Sequence, residues 1–267
     1  MRGSGHSAAE PPISKSPRAP IFRAAAVKVV PGSGLSPGVT GPPSPVPLEA
    51  IAMHWQAKDP ASCYSHLLGV ALSITGLVTL LVQSQGDPWR IVGFSIYGAS
   101  LMLLYSASTV YHWQALPPRG EDILKRLDHM AIFLLIAGTY TPLCLVTLRG
   151  GWGWSVLGVV WGLALLGLVL KLFFRHLPRW PSTALYVGMG WMAVVAVVPL
   201  VQSLPVSGMI WLVTGGVFYT LGAVIYAIKW PNPAPRVFGF HEVFHVFVLA
   251  GSITHFVFMM RYVLPGA

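Results

Sequence analysis

The chain has 267 residues, of which 54% are hydrophobic and only 9% are charged. A soluble domain carries about 25% charged residues, so this composition excludes an ordinary soluble globular protein and also disorder along the whole chain. The net charge of +9 would suit a nucleic-acid binder, but the basic residues stand singly in short gaps between apolar runs. That distribution is typical of the loops of a membrane protein, and we expect no nucleic-acid partner.

Residues 1–52 differ in composition from the rest of the chain. Ten of the 23 prolines lie within residues 11–47, mixed with Gly, Ser and Ala. Such a stretch cannot bury enough apolar surface to fold, and its best apolar run is short and interrupted by Lys28, unlike a secretory signal peptide. We expect residues 1–52 to be a disordered cytoplasmic tail, or to lie upstream of a true start at Met53. Residues 53–267 are expected to form the membrane domain.

Uncharged runs long enough to cross a membrane follow one another from residue 60 onward. A helix needs about 20 apolar residues to span the hydrocarbon core. The runs are Pro60–Gly86, Ile91–Tyr111, Met130–Leu148, Gly150–Leu170, Pro181–Ile228 and His241–Met260. The 48-residue run before the last is divided by Pro199 and Pro205 and so holds two spans. No strand pattern competes, and the sequence predicts an all-α polytopic membrane protein with seven transmembrane helices.

The lysines and arginines are unevenly divided between the two sides of this predicted bundle. Nine lie on the side of the N-terminus, in addition to five in the tail, whereas only Arg90, Arg149 and Arg261 lie on the other side. The positive-inside rule therefore predicts a cytoplasmic N-terminus and an external C-terminus. This orientation is opposite to that of G-protein-coupled receptors. We expect an integral protein of a bacterial inner (plasma) membrane.

Ionisable residues converge at the inner ends of three predicted spans. His112 ends span 2, Asp128 opens span 3, and His241 and His245 open span 7. Because residues four apart share a helix face, the last two histidines suit one metal ion, and His112 would complete a three-histidine set. Three protein ligands with an open position are the catalytic arrangement of zinc. Asp128 is then the predicted base for water, and Ser108, one turn before His112, is predicted to orient that water or a developing oxyanion.

Simpler interpretations stand beside this one. The histidines could be interfacial residues bonded to headgroups or neighbouring helices, Asp128 a helix N-cap, and Ser108 a helix-packing residue. Five further histidines of the expected membrane domain are left out of the predicted ligand set: His54, His66, His129, His176 and His255.

A competing motif overlaps the last span. Residues 241–245 match HExxH, in which two histidines bind zinc and Glu242 would be the general base of a protease. No acidic third-ligand segment and no downstream histidine with suitable spacing accompanies it. That lack favours Glu242 as an incidental residue at the edge of the site.

Three motifs occur in order on predicted spans 2, 3 and 7: Ser108-Thr109-Val110-Tyr111-His112, Asp128-His129, and the segment from Phe240 to Ser252 that contains His-x3-His. Over about residues 62–263 the chain resembles the bacterial hemolysin III family. That family lies in the superfamily of the adiponectin and progestin receptors and the alkaline ceramidases. The Glu that the family often has before span 1 is absent here, and Asp59 stands a little before that span.

The resemblance implies a zinc ion bound by His112, His241 and His245, with Asp128 acting through water. It also implies an amide-hydrolase site facing the cytoplasm, with membrane lipid such as ceramide as substrate, and the family name implies a cytolytic, pore-forming activity. Three hypotheses follow: a zinc-dependent lipid-amide hydrolase, a zinc-stabilised receptor or structural protein without turnover, and a membrane-damaging pore. Asp128 and Ser108 favour the first, because a purely structural zinc site needs no group that handles water.

Overall fold

The computed structural model describes residues 57–174, 179–234 and 237–266. Over these ranges the regular structure is helical, without β-strands. Eight α-helices are numbered here in chain order: α1 Pro60–Gln83, α2 Pro88–Trp113, α3 Pro118–Pro142, α4 Gly151–Phe173, α5 Arg179–Gly190, α6 Val197–Ser203, α7 Val206–Ile228 and α8 Phe240–Phe258. The expected tail and the alternative start at Met53 lie outside the described residues.

Local sequence signals explain where the first helices begin. The helices α1, α2 and α3 each start with a proline, whose fixed φ suits the first helical position and whose missing N–H is not needed there. The Asp87 side chain also caps α2, accepting hydrogen bonds from the backbone N–H groups of Trp89 (2.9 Å) and Arg90 (3.0 Å). Two helices end in a π-helical turn, α3 over Leu143–Thr147 and α8 over Met259–Val263.

Among the described residues, six helical segments are long and apolar enough to cross a membrane. The remaining apolar segment is bent: Trp180–Val194 and Val197–Ser203 meet at 52°, and they give a seventh span if they are counted as one. The predicted helical membrane protein is thus confirmed. The break lies at residues 195–196, so Pro199 falls inside α6, while Pro205 immediately precedes α7 as the sequence suggested.

Close helix contacts hold the bundle together where small residues allow them. Helices joined by short loops pack side by side, as α1 does with α2, α2 with α3 and α7 with α8, and α1 also packs against α8. At Gly98 of α2, a Cβ atom would lie 2.5 Å from the Leu77 side chain of α1. At Gly167 of α4, a Cβ atom would overlap the ring of Phe133. Small residues are favoured at such contacts because lipid gives no hydrophobic drive to helix association.

The spans are unequally buried, and the most buried one is central. Of the most apolar 18-residue stretch in the span that contains α3, 72% is buried within the protein. The corresponding share in α7 is 17%. The aromatic core around α3 includes Phe94, Tyr97, Tyr105 and Phe133, each less than 2% exposed. The three spans that carry the predicted site, in α2, α3 and α8, are the most buried of the six, with shares of 50%, 72% and 44%.

Candidate metal centre

Three histidines from two helices meet at one end of the bundle. The last turn of α2 carries His112, and the first two turns of α8 carry His241 and His245. One potential ligand atom from each lies within 4.8 Å of the others. The Nε2 atoms of His112 and His241 are 3.2 Å apart, and two nitrogens bound to one tetrahedral zinc ion are roughly 3.4 Å apart. The donor set therefore fits a metal ion such as zinc.

Asp59 fixes the orientation of His112. The His112 Nδ1 lies 2.9 Å from Asp59 Oδ2, and the Asp59 backbone N–H donates to the His112 carbonyl at 3.0 Å. The hydrogen bond with His112 lowers the pKa of Asp59, so this carboxyl is ionised at neutral pH. A carboxylate only accepts hydrogen bonds, so Nδ1 carries the proton and the Nε2 lone pair is left to bind a metal. Carboxylate–histidine–metal arrangements of this kind are common in metal sites.

His66 of α1 is a neighbour that the sequence reasoning left out of the site. Its ring stacks on His245 with 3.7 Å between centroids and 12° between planes, and it meets Tyr105 edge-on at 5.0 Å. The ring is 3% exposed, and neither nitrogen has a hydrogen-bond partner among the described residues. One feature of the sequence could have identified His66: it lies near the start of span 1, at the same membrane end as His112. Span 1 thus supports the centre through Asp59 and His66 without joining the three-histidine group.

Asp128 and Ser108 lie beside the histidines. Asp128 is 8% exposed and close enough to His112 and Ser108 to interact with both. It lies in the third turn of α3, which begins at Pro118, so it is not the N-cap that one interpretation gave it. Ser108 is fully buried one turn before His112, and its Oγ makes no hydrogen bond of normal geometry. The Asp128 carboxylate is close enough to interact with this hydroxyl, so the two polar groups form a buried pair beside His112.

Glu242 is held by hydrogen bonds that do not suit a general base. Its two carboxylate oxygens accept hydrogen bonds from the Ser62 hydroxyl at 2.8 Å and from the Gly239 backbone N–H at 2.7 Å. The side chain therefore ties the start of α8 to α1 and caps that helix. In this structure Glu242 therefore has a capping role, although it falls within the HExxH pattern.

The other histidines have separate surroundings. His129 pairs through Nδ1 with the Lys125 carbonyl (2.5 Å) and through Nε2 with the Tyr226 hydroxyl (3.0 Å). His255 lies farther along α8, with its Nε2 3.3 Å from the carbonyl of Leu212. His54 and His176 lie outside the residues that the structure describes.

An apolar cavity of about 130 Å³ lies beside the centre and reaches His66. Helices α3, α5, α7 and α8 form most of its wall. The wall is mainly aliphatic and aromatic and includes Leu104, Ile132, Leu135, Tyr186, Phe244 and Val248. A ligand with an apolar chain could therefore approach the histidines from within the bundle.

The fold and the site together define a class: a helical integral membrane protein with a candidate histidine metal centre at one membrane end. The sequence profile of the family described as "Haemolysin-III related" matches residues 54–256, which is most of the chain. The chain therefore belongs to the haemolysin-III related family, as the motifs on α2, α3 and α8 predicted.

Curated proteins support this family. The chain is 40% identical over 212 residues to "Hemolysin-3" of Bacillus cereus, covering 79% of this chain and 94% of that protein. It is 41% identical over 207 residues to "Hemolysin-3 homolog" of Bacillus subtilis (strain 168), covering 77% and 94%. A more distant relative is "Monocyte to macrophage differentiation factor" of Homo sapiens, 25% identical over 206 residues, covering 76% of this chain and 83% of that protein.

Proposed function

We propose that this chain is a zinc-dependent membrane hydrolase that acts on lipid amides, ceramide-like molecules among them. The observation that carries the proposal is the convergence of His112, His241 and His245 within 4.8 Å beside a buried carboxylate and a buried hydroxyl. Three imidazoles alone would account for metal binding. The neighbouring Asp128 and Ser108 add the groups that a reaction with water needs.

The histidines would hold the ion, and the other residues would handle the reactants. Zinc with three protein ligands lowers the pKa of water to about 7, which makes a nucleophile available at neutral pH. The Asp128 carboxylate accepts the proton of the attacking water at one of its oxygens. The water oxygen bonds to the carbonyl carbon of the substrate, the carbon–nitrogen bond breaks, and the proton held by Asp128 passes to the leaving nitrogen, which gives a carboxylic acid and an amine. The Ser108 hydroxyl donates a hydrogen bond to the developing oxyanion.

The apolar cavity supports a lipid as the substrate. Its wall gives an acyl chain a place next to His66, whose ring stacks on His245 of the candidate metal centre. The same apolar lining disfavours a water-filled pore, which would need a polar lumen. The cytolytic activity suggested by the names of the relatives is therefore not the function that this site favours.

A zinc-stabilised protein without turnover is the second candidate. The observation that favours it is the bracing of the centre by Asp59 and Glu242, which joins α1, α2 and α8 at one end. Metal binding would then contribute to folding stability, as it does in structural zinc sites. An HExxH protease is disfavoured, because both oxygens of Glu242 are engaged in hydrogen bonds.

Replacing Asp128 by Asn separates catalysis from structure. The amide keeps the size of the side chain and removes the base, so hydrolysis of a fluorescent ceramide should fall by about 10²–10⁴-fold. Zinc content, measured by mass spectrometry of the purified protein, and the melting temperature should stay near those of the parent protein.

Glu242→Gln is the matched control, because Gln retains an oxygen that accepts the capping hydrogen bond. We expect this variant to keep its activity towards the ceramide. Loss of peptide hydrolysis in Glu242→Gln with no effect of Asp128→Asn would establish the protease instead. A zinc-loaded parent protein that hydrolyses neither lipid amides nor peptides would establish the non-catalytic candidate.

We further propose that the histidine end faces the cytoplasm, in a bacterial inner membrane. The support is the excess of Lys and Arg on that side, nine against three outside the tail. Reporter tags at the two termini should label opposite compartments, with the N-terminus cytoplasmic. Both tags on one side would mean that the bent α5–α6 segment does not cross the membrane.

A further inference from the structure

A second cavity, here called the lysine cavity, opens where α3, α4, α5 and α7 meet. Its volume is about 220 Å³, and its wall includes Lys125, Arg126, Lys171, Asp122 and Ser182. It lies at the same membrane end as the histidines, because Lys125 precedes Asp128 by one turn of α3. None of the three histidines of the candidate metal centre lines it.

The lysine cavity carries uncompensated positive charge. Arg126 forms an ion pair with Asp122, so these two charges cancel. Lys125 and Lys171 lie close enough for their charges to repel, and neither forms an ion pair or a hydrogen bond through its side chain among the described residues. Ser182, in the first turn of α5, adds a hydroxyl at a helix end that carries partial positive charge. An anionic group such as a phosphate would relieve the repulsion between the two lysines.

The lysine cavity and the apolar cavity are neighbours, and hydrogen bonds of His129 with Tyr226 (3.0 Å) and Tyr186 (2.8 Å) lie at their boundary. His129, Thr183, Tyr186 and Tyr226 line both cavities. Along α3 the apolar cavity is lined from His129 to Tyr140, a rise of roughly 16 Å at 1.5 Å per residue. One leaflet occupies about half of the ~30 Å hydrocarbon core. The two neighbouring cavities therefore offer a cationic end and an apolar space as deep as one leaflet, on either side of the side chains that they share.

We propose that these two cavities bind an acidic phospholipid, with its phosphate between Lys125 and Lys171 and one acyl chain in the apolar cavity. Basic pockets between transmembrane helices are known sites for anionic headgroups. The proposal goes beyond the hydrolase function and requires neither a metal nor turnover, although its acyl chain would occupy the same cavity that the proposed hydrolase offers to its substrate. It adds a lipid site whose headgroup end is separate from the three histidines.

The test uses the purified full chain in detergent and counts bound lipid by native mass spectrometry. Dioleoyl phosphatidylglycerol should bind more tightly than dioleoyl phosphatidylcholine, which has the same chains and no net charge. Lys125→Gln and Lys171→Gln should each weaken the binding of phosphatidylglycerol by about fivefold and leave that of phosphatidylcholine unchanged. Lys229→Gln is the control, since Lys229 is exposed at the same end of the bundle and lines neither cavity.

The acyl part of the site needs its own variant. Gly216 lines the apolar cavity, and a Cβ atom added there meets no atom within 4 Å. Gly216→Leu should therefore fill the cavity and weaken the binding of both lipids, while Gly158→Leu, at an equally open position on α4, should not. Equal affinity for the two lipids, or an equal effect of Lys229→Gln, would overturn the proposal. Glycerol phosphate that binds as tightly as phosphatidylglycerol would show a site for soluble anions and would overturn the acyl part.

Discussion

His245 and His255 lie ten residues apart on α8, and both are buried, at 1% and 7% exposure. In each ring Nδ1 has no hydrogen-bond partner among the described residues. Their surroundings differ: His245 meets His66, His112 and His241, whereas His255 contacts the Leu212 carbonyl of α7. Burial of a histidine is thus insufficient to define a site. Convergence of histidines from separate helices, with a carboxylate behind one of them, distinguishes the candidate metal centre from a packing position.

The largest expected effect tests this comparison directly. His112→Ala and His245→Ala should each remove nearly all bound zinc from the purified protein, because a three-ligand site loses a third of its donors. His255→Ala should retain the metal. The measurement is zinc per chain by inductively coupled plasma mass spectrometry. Equal loss of zinc in His255→Ala and His112→Ala would show that the two histidines belong to one site and that our comparison is wrong.

A smaller effect is expected from the residue behind His112. Asp59→Ala removes the carboxylate that holds Nδ1, and such changes typically lower metal affinity by about 10–100-fold. Competition with a fluorescent chelator measures this affinity. The control is Glu121→Ala, which removes another carboxylate from the same end, one that pairs with Lys58 at 2.8 Å. If the two variants lose the same affinity, general charge at this end, and not the orientation of His112, controls the metal.

The smallest effect concerns His255 as a packing residue. A Cβ atom at Gly215 of α7 would lie 2.6 Å from the His255 ring, whereas one at Gly216 would meet nothing within 4 Å. Gly215→Ala should therefore destabilise the protein by about 1–3 kcal/mol through overpacking, and Gly216→Ala should not. Thermal unfolding followed by circular dichroism gives the difference. Zinc content should be unchanged in both variants, and a loss of zinc in Gly215→Ala would link His255 to the centre.

Several features of the protein could be predicted from the sequence alone. The apolar runs give the membrane helices, because crossing the hydrocarbon core requires about 20 apolar residues in a backbone that satisfies its own hydrogen bonds. Alternation of direction from span to span then puts His112, Asp128 and His241 at the same membrane end. The spacing of four residues between His241 and His245 puts both on one face of α8.

The tertiary structure decided the rest, since the order of spans fixes the depth of a residue but not the direction of its side chain around the helix axis. Only packing of α1 against α2 and α8 brings Asp59 to His112 and stacks His66 on His245. Only the backbone path before α8 shows that Glu242 caps that helix. The bend between α5 and α6 was likewise hidden, because hydropathy scores both halves as apolar. Directions around a helix axis depend on contacts between distant segments, and these contacts leave no periodic signal in either segment alone.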